Sequence, residues 1–171
     1  CEDEDGFIWA STKSGIVRIM SNDFRIYTLN FAKTDVLYTD ITYNAGVLLA
    51  YTSNGLMFRY NKLTDTFEQI LDMREKLNSA YLAIGLVQIF NKDEYWLATS
   101  QGLYVLKDAD LRLVNAVAER VRSLLFIGNS VYYVKNSVLV HHDRAKQKKI
   151  AEWNFAEFSN SVISKMYYDK S

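Results

Sequence analysis

Apolar and polar positions alternate in short runs along this chain, and turn residues punctuate them every five to eight residues or so. The clearest stretch predicts four strands at Val36–Thr42, Val47–Thr52, Leu56–Tyr60 and Thr66–Leu71. Asn44-Ala-Gly46, Ser53-Asn-Gly55 and Asn61-Lys-Leu-Thr-Asp65 separate them. Val, Ile, Tyr, Phe, Trp and Thr fill the runs, as a pleated and half-buried surface requires. Asn54-Gly55 reads as a tight hairpin dipeptide, because such turns need a positive φ. Helical periodicity is scarce. Asp72–Tyr81 predicts one or two helical turns inserted between sheets, and Ala116–Ser123 carries a fainter helical pattern.

The same phrase recurs. Trp9, Leu49, Trp96 and Tyr132 occupy one position of an aligned repeat, and Gly15, Gly55, Gly102 and Ser137 another, about 40 residues apart. A unit of that length with four short strands is a propeller blade. The expected fold is therefore all-β: a β-propeller of about four blades of four antiparallel strands, in one segment spanning 1–171. The units fall at approximately 1–41, 42–87, 88–124 and 125–171. The chain opens just before a second strand, and Val162–Tyr168 reads as the first strand of a further blade. Two architectures fit: a piece of a longer propeller, which the truncated last repeat favours, or a ring of four blades closed by that strand. Cys1 falls at the end of a first strand; a lipid-anchored terminus is the alternative. Unpaired blade edges in an open piece invite association, so a homodimer or closure is expected.

Composition narrows the classes. With 49% hydrophobic and 14% aromatic residues, the chain is not disordered. Twenty Lys+Arg balance twenty Asp+Glu, which argues against a nucleic-acid or anionic-membrane partner. A single Cys excludes an internal disulfide. No apolar run is long enough to span a bilayer, and no signal-peptide pattern opens the chain.

The run Asp3-Glu-Asp-Gly6-Phe-Ile-Trp9-Ala-Ser-Thr12-Lys-Ser-Gly15-Ile-Val-Arg18 resembles the two-component-regulator propeller repeat. The second unit matches it in Gly46, Thr52, Gly55, Leu56, Arg59 and Tyr60, the third in Trp96, Thr99, Gly102 and Leu103. Leu49 and Tyr132 depart from its Trp, Asp93 from its first Gly and Ser137 from its turn Gly. The resemblance implies the extracytoplasmic sensor of a bacterial hybrid two-component or one-component regulator. The parent would be anchored in the inner membrane, this segment would be periplasmic, and many such regulators switch on polysaccharide-utilisation genes. An oligosaccharide ligand and the remainder of the parent regulator are the implied partners. No kinase, receiver or helix-turn-helix motif lies in the chain.

The residues available for chemistry point away from catalysis. Nucleotide-binding, phosphate-loop, nucleophile-elbow and zinc-protease motifs are all missing. His141 and His142, the only histidines, fall on opposite faces of a strand and cannot chelate one metal together without a bulge. No metal and no cofactor are expected. Trp9 and Trp96 read as packing between blades, Thr12, Thr52 and Thr99 as hydroxyls bonded to hairpin backbone, and Asp3, Asp5 and Asp93 as turn-closing acceptors. Arg144–Lys149 reads as a solvated hairpin. The ligand-binding candidates are Lys13, Asn54, Gln101 and Asn136, at related positions in the second hairpin loops, and Trp153 on an outer strand. The reading that follows is a non-catalytic sensor segment. Its competitors are a propeller scaffold for protein partners and, further off, a propeller glycosidase or lyase.

Overall fold

The computed structural model describes residues 1–12, 15–20, 23–29, 39–77, 82–114, 119–156 and 166–169. Fifteen strands and one short helix follow in chain order among them. The first sheet holds β1 (Ile8–Thr12), β2 (Gly15–Met20) and β3 (Asp23–Tyr27). The second holds β4 (Thr39–Asn44), β5 (Val47–Thr52), β6 (Leu56–Asn61) and β7 (Thr66–Asp72). Helix α1 (Met73–Leu77) follows. The third sheet holds β8 (Ile84–Asn91), β9 (Glu94–Thr99), β10 (Gly102–Lys107) and β11 (Asp110–Leu113). The fourth holds β12 (Val121–Ile127), β13 (Ser130–Lys135), β14 (Val138–Asp143) and β15 (Lys148–Asn154). Within each sheet, strands sit in the order of the chain, so each is an up-and-down meander.

Burial grades across each meander. Strands β5 and β9 are buried along their whole length, whereas β3, β11 and β15 are largely exposed. Strands at interior places in a meander have neighbours on both edges and can be apolar on both faces. The last strand must meet water, and its charged residues do so.

Several local expectations hold and others change. The helical insertion lies at Met73–Leu77, capped by Asp72, whose carboxylate accepts the Arg74 backbone N–H at 2.9 Å. Ala116–Ser123 is not helical where it is described: Val121–Ser123 begins β12. The pattern there is apolar but short, and pairing with β13 decides it. Strand Val36–Thr42 begins at Thr39 among the described residues. The stretch 166–169 carries no strand, and 162–165 lies outside the described residues.

The turn geometry also shifts. Gly15, Gly55 and Gly102 all have positive φ, at 148°, 88° and 146°. Yet Ser53-Asn54-Gly55 is a three-residue loop, closed by the Gly55 N–H on Thr52 O at 3.1 Å, with only the glycine left-handed. Among the described residues, the two-residue hairpins with two left-handed residues are Ala45-Gly46, between Asn44 and Val47, and Asp108-Ala109, between Lys107 and Asp110. Where Ser137 replaces glycine, Asn136 takes the left-handed conformation at φ 52°, a strain asparagine tolerates.

The described chain falls into two compact units, residues 1–84 with 89–94 and residues 85–88 with 95–171. In the first, Trp9, Ile16, Tyr27 and Leu29 pack with Leu48, Ala50, Leu56 and Phe58, so one face of the first sheet is buried on the second. In the second, Trp96 packs edge-on to Phe126 at 5.9 Å and lies 6.1 Å from the buried His142 ring. Both tryptophans are interior, as expected of packing residues.

Candidate functional site

In the first unit, Trp9, Arg18 and Arg25 stand in one cross-strand row of β1, β2 and β3. Side chains of one row point to one face, so two arginines join the face that carries Trp9, Ile16 and Tyr27. Burying a guanidinium is costly unless it is paired, and the second sheet supplies the pair. Asp65 sits at the β6–β7 turn with φ 53°. Asn61 shapes that turn by accepting the Leu63 N–H at 3.0 Å. Asp65 Oδ1 accepts the Tyr27 hydroxyl at 2.7 Å, the Tyr60 hydroxyl at 2.5 Å and Arg18 Nη1 at 3.3 Å, and Arg25 Nη1 binds Oδ2. Arg18 Nη1 also donates to the Tyr60 hydroxyl at 2.8 Å.

Aromatic rings surround this centre. The Arg18 guanidinium lies 5.1 Å from the Phe7 ring centroid, 5.5 Å from Trp9 and 5.7 Å from Tyr27, within cation–π range. Trp9, Tyr27, Tyr60 and Phe67 touch one another, mostly edge to face, at 4.9–6.0 Å. Arg18 Nε is buried and has no hydrogen-bond partner. Burial opposes ionisation of Asp65, but the two tyrosine hydroxyls and the two arginines outweigh it and hold the carboxyl below its ordinary range. Burial first, and the Asp65 hydrogen bond second, push the Tyr27 phenol well above its usual value.

A hollow of about 320 Å³ opens beside this cluster. Phe7, Tyr43, Leu48 and Tyr60 form its apolar and aromatic walls, Arg18 and Asp65 its charged base, and Asp3, Glu4, Asp5 and Lys62 its rim. The rim is built by a turn. Asp3 Oδ1 accepts the backbone N–H of Asp5 and of Phe7, both at 3.0 Å, and Oδ2 accepts Trp9 Nε1 at 2.6 Å. The turn-closing role expected of Asp3 is thus met. Lys62 Nζ bridges Asp5 at 2.5 Å and Glu4 at 3.7 Å; these groups are largely exposed, so the pair adds little stability. The hollow therefore offers carboxylate acceptors, cationic donors and flat apolar walls within one small volume, which suits a polar ligand with apolar faces.

Of the ligand candidates taken from the sequence, Asn54, Gln101, Asn136 and Trp153 do not line this hollow. Gly46 lines the hollow at the start of β5, and Asn54 lies past the other end of that strand. The Asn54 carboxamide accepts the Thr52 hydroxyl. Gln101 is half-buried and gives its backbone N–H to Thr99 Oγ1 at 3.1 Å. Asn136 is exposed, forms the left-handed turn residue and reaches Glu119 at 3.4 Å. Trp153 is 44% exposed on β15, and Lys13 lies outside the described residues. The threonines do bond hairpin backbone: Thr12 Oγ1 donates to Gly15 O at 2.9 Å, Thr99 Oγ1 donates to Gly102 O at 2.8 Å, and Thr52 Oγ1 accepts the Leu56 N–H at 3.0 Å. His142 is buried against Trp96, while His141 stacks on Tyr132 at 4.6 Å and bonds Ser130 Oγ at 2.8 Å. The bulge beside them falls on β15, so the two rings stay on opposite faces. Among the described residues, no group of three His, Cys, Asp or Glu side chains is placed to hold a metal ion.

The Arg18–Asp65 centre was missed, although its first half left a signal. Arg18 shares its strand parity with Ile16, so period two alone puts a charge on a core face, which is the usual mark of a paired or functional group. Asp65 left none, because a turn acid is common and its partner is fixed only by packing.

Replacing Asp65 by asparagine is expected to destabilise the chain by about 2 kcal/mol at neutral pH. The folded carboxyl titrates below its unfolded value of 3.8, so its contribution is complete above that pH and fades as the solution is acidified through the folded value. The melting difference between wild type and Asp65→Asn should shrink below pH 4, read by circular dichroism. A constant difference down to pH 2 would remove the charge from the account.

These four meanders in sequence are a β-propeller fold. No family profile and no curated protein matches the chain. Solved structures do. The extracellular domain assigned to the hybrid two-component system BT3049 of B. thetaiotaomicron superposes at TM-score 0.71 over 98% of this chain, with 19% identity. The extracellular domain assigned to the one-component system BT4673 of that organism matches at 0.54 over 88%, with 13% identity. The WD40 β-propeller domain of Doa1 matches at 0.68 over 96%, with 10% identity. This chain spans 23% of the BT3049 chain, 28% of the BT4673 chain and 54% of the Doa1 chain.

Proposed function

We propose that this chain is a sensor segment: part of an extracytoplasmic propeller that recognises a ligand and passes its occupancy to a membrane-anchored bacterial regulator. The observation that supports this most is the superposition on the BT3049 extracellular domain over 98% of the chain, together with the repeat run from Asp3 to Arg18. The segment is periplasmic in this reading, and its output is control of genes for polysaccharide or oligosaccharide use. It makes no contact with nucleic acid.

The ligand in this reading is an oligosaccharide, held in the hollow of Phe7, Tyr43 and Tyr60. Sugar rings present apolar faces to aromatic walls and hydroxyls to charged groups, and the hollow has both. The reading is one of binding without chemistry: the Asp65 carboxylate is already engaged by the Tyr27 and Tyr60 hydroxyls and the Arg18 and Arg25 guanidinium groups.

Melting the protein against an oligosaccharide library tests the reading. One glycan class should raise Tm by several degrees, since ligand at 100 times Kd adds about 2.7 kcal/mol. The exposed variant Lys62→Ala should weaken that shift while changing the unliganded Tm little, because the ion pairs it removes are exposed. No response to any glycan, alongside capture of a protein partner, would favour a scaffold instead.

A further inference from the structure

The basic run Arg144–Lys149 forms the turn from β14 into β15, and its last two residues open β15. Gln147 takes the left-handed conformation in that turn, at φ 50°. Strand β15 then carries a bulge. His141 pairs with Ala151 but His142 pairs with Lys149, so Ile150 is the extra residue. Alternation alone would send Lys149 and Glu152, three residues apart, to opposite faces. The extra residue changes the count and re-aims Lys149 onto the face of Glu152. Lys149 Nζ meets Glu152 Oε2 there at 2.8 Å.

That face also carries a cross-strand row of Tyr133, Val140 and Glu152, with Lys135 two residues along β13. A hollow of about 280 Å³ opens on it. Tyr133 and Val140, both buried, form its floor, and Lys135, Lys148, Lys149 and Glu152 its sides. Three ammonium groups thus meet one carboxylate. The hydrogen bond from Lys149 holds Glu152 below the ordinary carboxylate range, so it is ionised at neutral pH. Lys135 Nζ also lies 3.7 Å from Glu119 Oε2, a long and partly exposed pair of little strength. Counting both carboxylates still leaves one positive charge over. The whole chain is neutral, so this excess is local, and a concave site with one sign of charge concentrates the opposite sign.

We propose that this hollow is a binding site for the oxyanion group of a small acidic ligand, held among Lys135, Lys148 and Lys149 with the ligand body over Tyr133 and Val140. An ammonium is a compact point charge with three rotatable donors, so it accepts a carboxylate or a sulfate alike. The ligand is either a small organic acid or an inorganic anion. This inference does not depend on the ligand reading for the hollow beside Arg18.

Isothermal titration calorimetry of the 171-residue chain in low salt tests it, with glucuronate, glucose and inorganic sulfate as probes. Glucuronate should bind here, and glucose, which has a hydroxymethyl in place of the carboxylate, should not. Binding should weaken as NaCl is added. Lys135→Ala and Lys149→Ala should each weaken it roughly fivefold, and Glu152→Gln should tighten it roughly threefold. Lys146→Ala, in the same basic run but outside the lining, should leave it unchanged. None of the replaced side chains is buried, so each variant should keep the wild-type circular dichroism spectrum. Tighter binding of glucuronate than of sulfate assigns the site to an organic acid, and the reverse order assigns it to an inorganic anion. Absence of binding by both anions overturns the proposal. Equal losses in Lys146→Ala and Lys149→Ala would mean diffuse attraction to the basic run and overturn it too, as would weaker binding by Glu152→Gln. Binding lost in Lys62→Ala but kept in Lys149→Ala would put the acid in the hollow beside Arg18 and equally overturn this site.

Discussion

Trp9→Ala is expected to cost about 3–5 kcal/mol, the range for truncating a fully buried aromatic. Trp9 is buried among Tyr27, Tyr60 and Phe67, and its ring is the shared partner at the junction of the first two sheets. Removing it opens a cavity and strips the Asp3 carboxylate of the indole N–H that holds it at 2.6 Å. For a chain of this size each kcal/mol lowers Tm by about 2–4 °C, so a fall on the order of 10 °C is expected by differential scanning calorimetry. Trp9→Phe keeps most of the packing and should cost about half as much. A fall of less than 3 °C for Trp9→Ala would show that this junction is not a core. The same substitution at the exposed Trp153 should leave the Tm of the monomeric chain nearly unchanged.

Gly15→Ala is the second large effect. Gly15 sits at φ 148°, and a Cβ there would lie 2.2 Å from the Tyr27 carbonyl oxygen and 3.2 Å from its carbon. Those are backbone atoms of β3, held by the Ile16–Tyr27 pairing, so neither side can yield cheaply. Either β3 separates from β2 or the hairpin changes φ, and both carry Tyr27 away from Asp65. The expected loss is about 3 kcal/mol from backbone strain. Gly85→Ala provides the control: its φ is ordinary, and the nearest atom to an added Cβ is the Ala98 carbonyl at 3.6 Å, so the change should be close to neutral. Chemical denaturation of both variants decides the point. Equal midpoints would mean the Gly15 hairpin relaxes without cost.

How far the sequence reached can be seen residue by residue. The period-two runs, the glycines at about 40-residue intervals and the recurring Trp were enough to predict four-stranded meanders and the interior place of Trp9 and Trp96. The threonine hydroxyls at the hairpins and Asp3 in its turn were legible too, because those bonds close within a few residues. The loop types were less so. Ala45-Gly46 takes the two-residue turn that Asn54-Gly55 was expected to take, since pairing register, and not the dipeptide, sets how many residues a loop holds.

By itself the sequence determined what is local and repeated: strand alternation, turn glycines, the propeller class and the absence of enzyme motifs. Only the tertiary structure decided which charges meet. Arg18 and Asp65 lie far apart in the chain and in different sheets, and their approach within 3.3 Å depends on how two meanders stack. It likewise decided that Ile8, Ile19, Phe24 and Ile26 form one uncovered face, while runs of the same composition in β5 and β9 are buried. Alternation says that a residue points to one side of a sheet; whether water or another sheet waits on that side is a property of the packed whole.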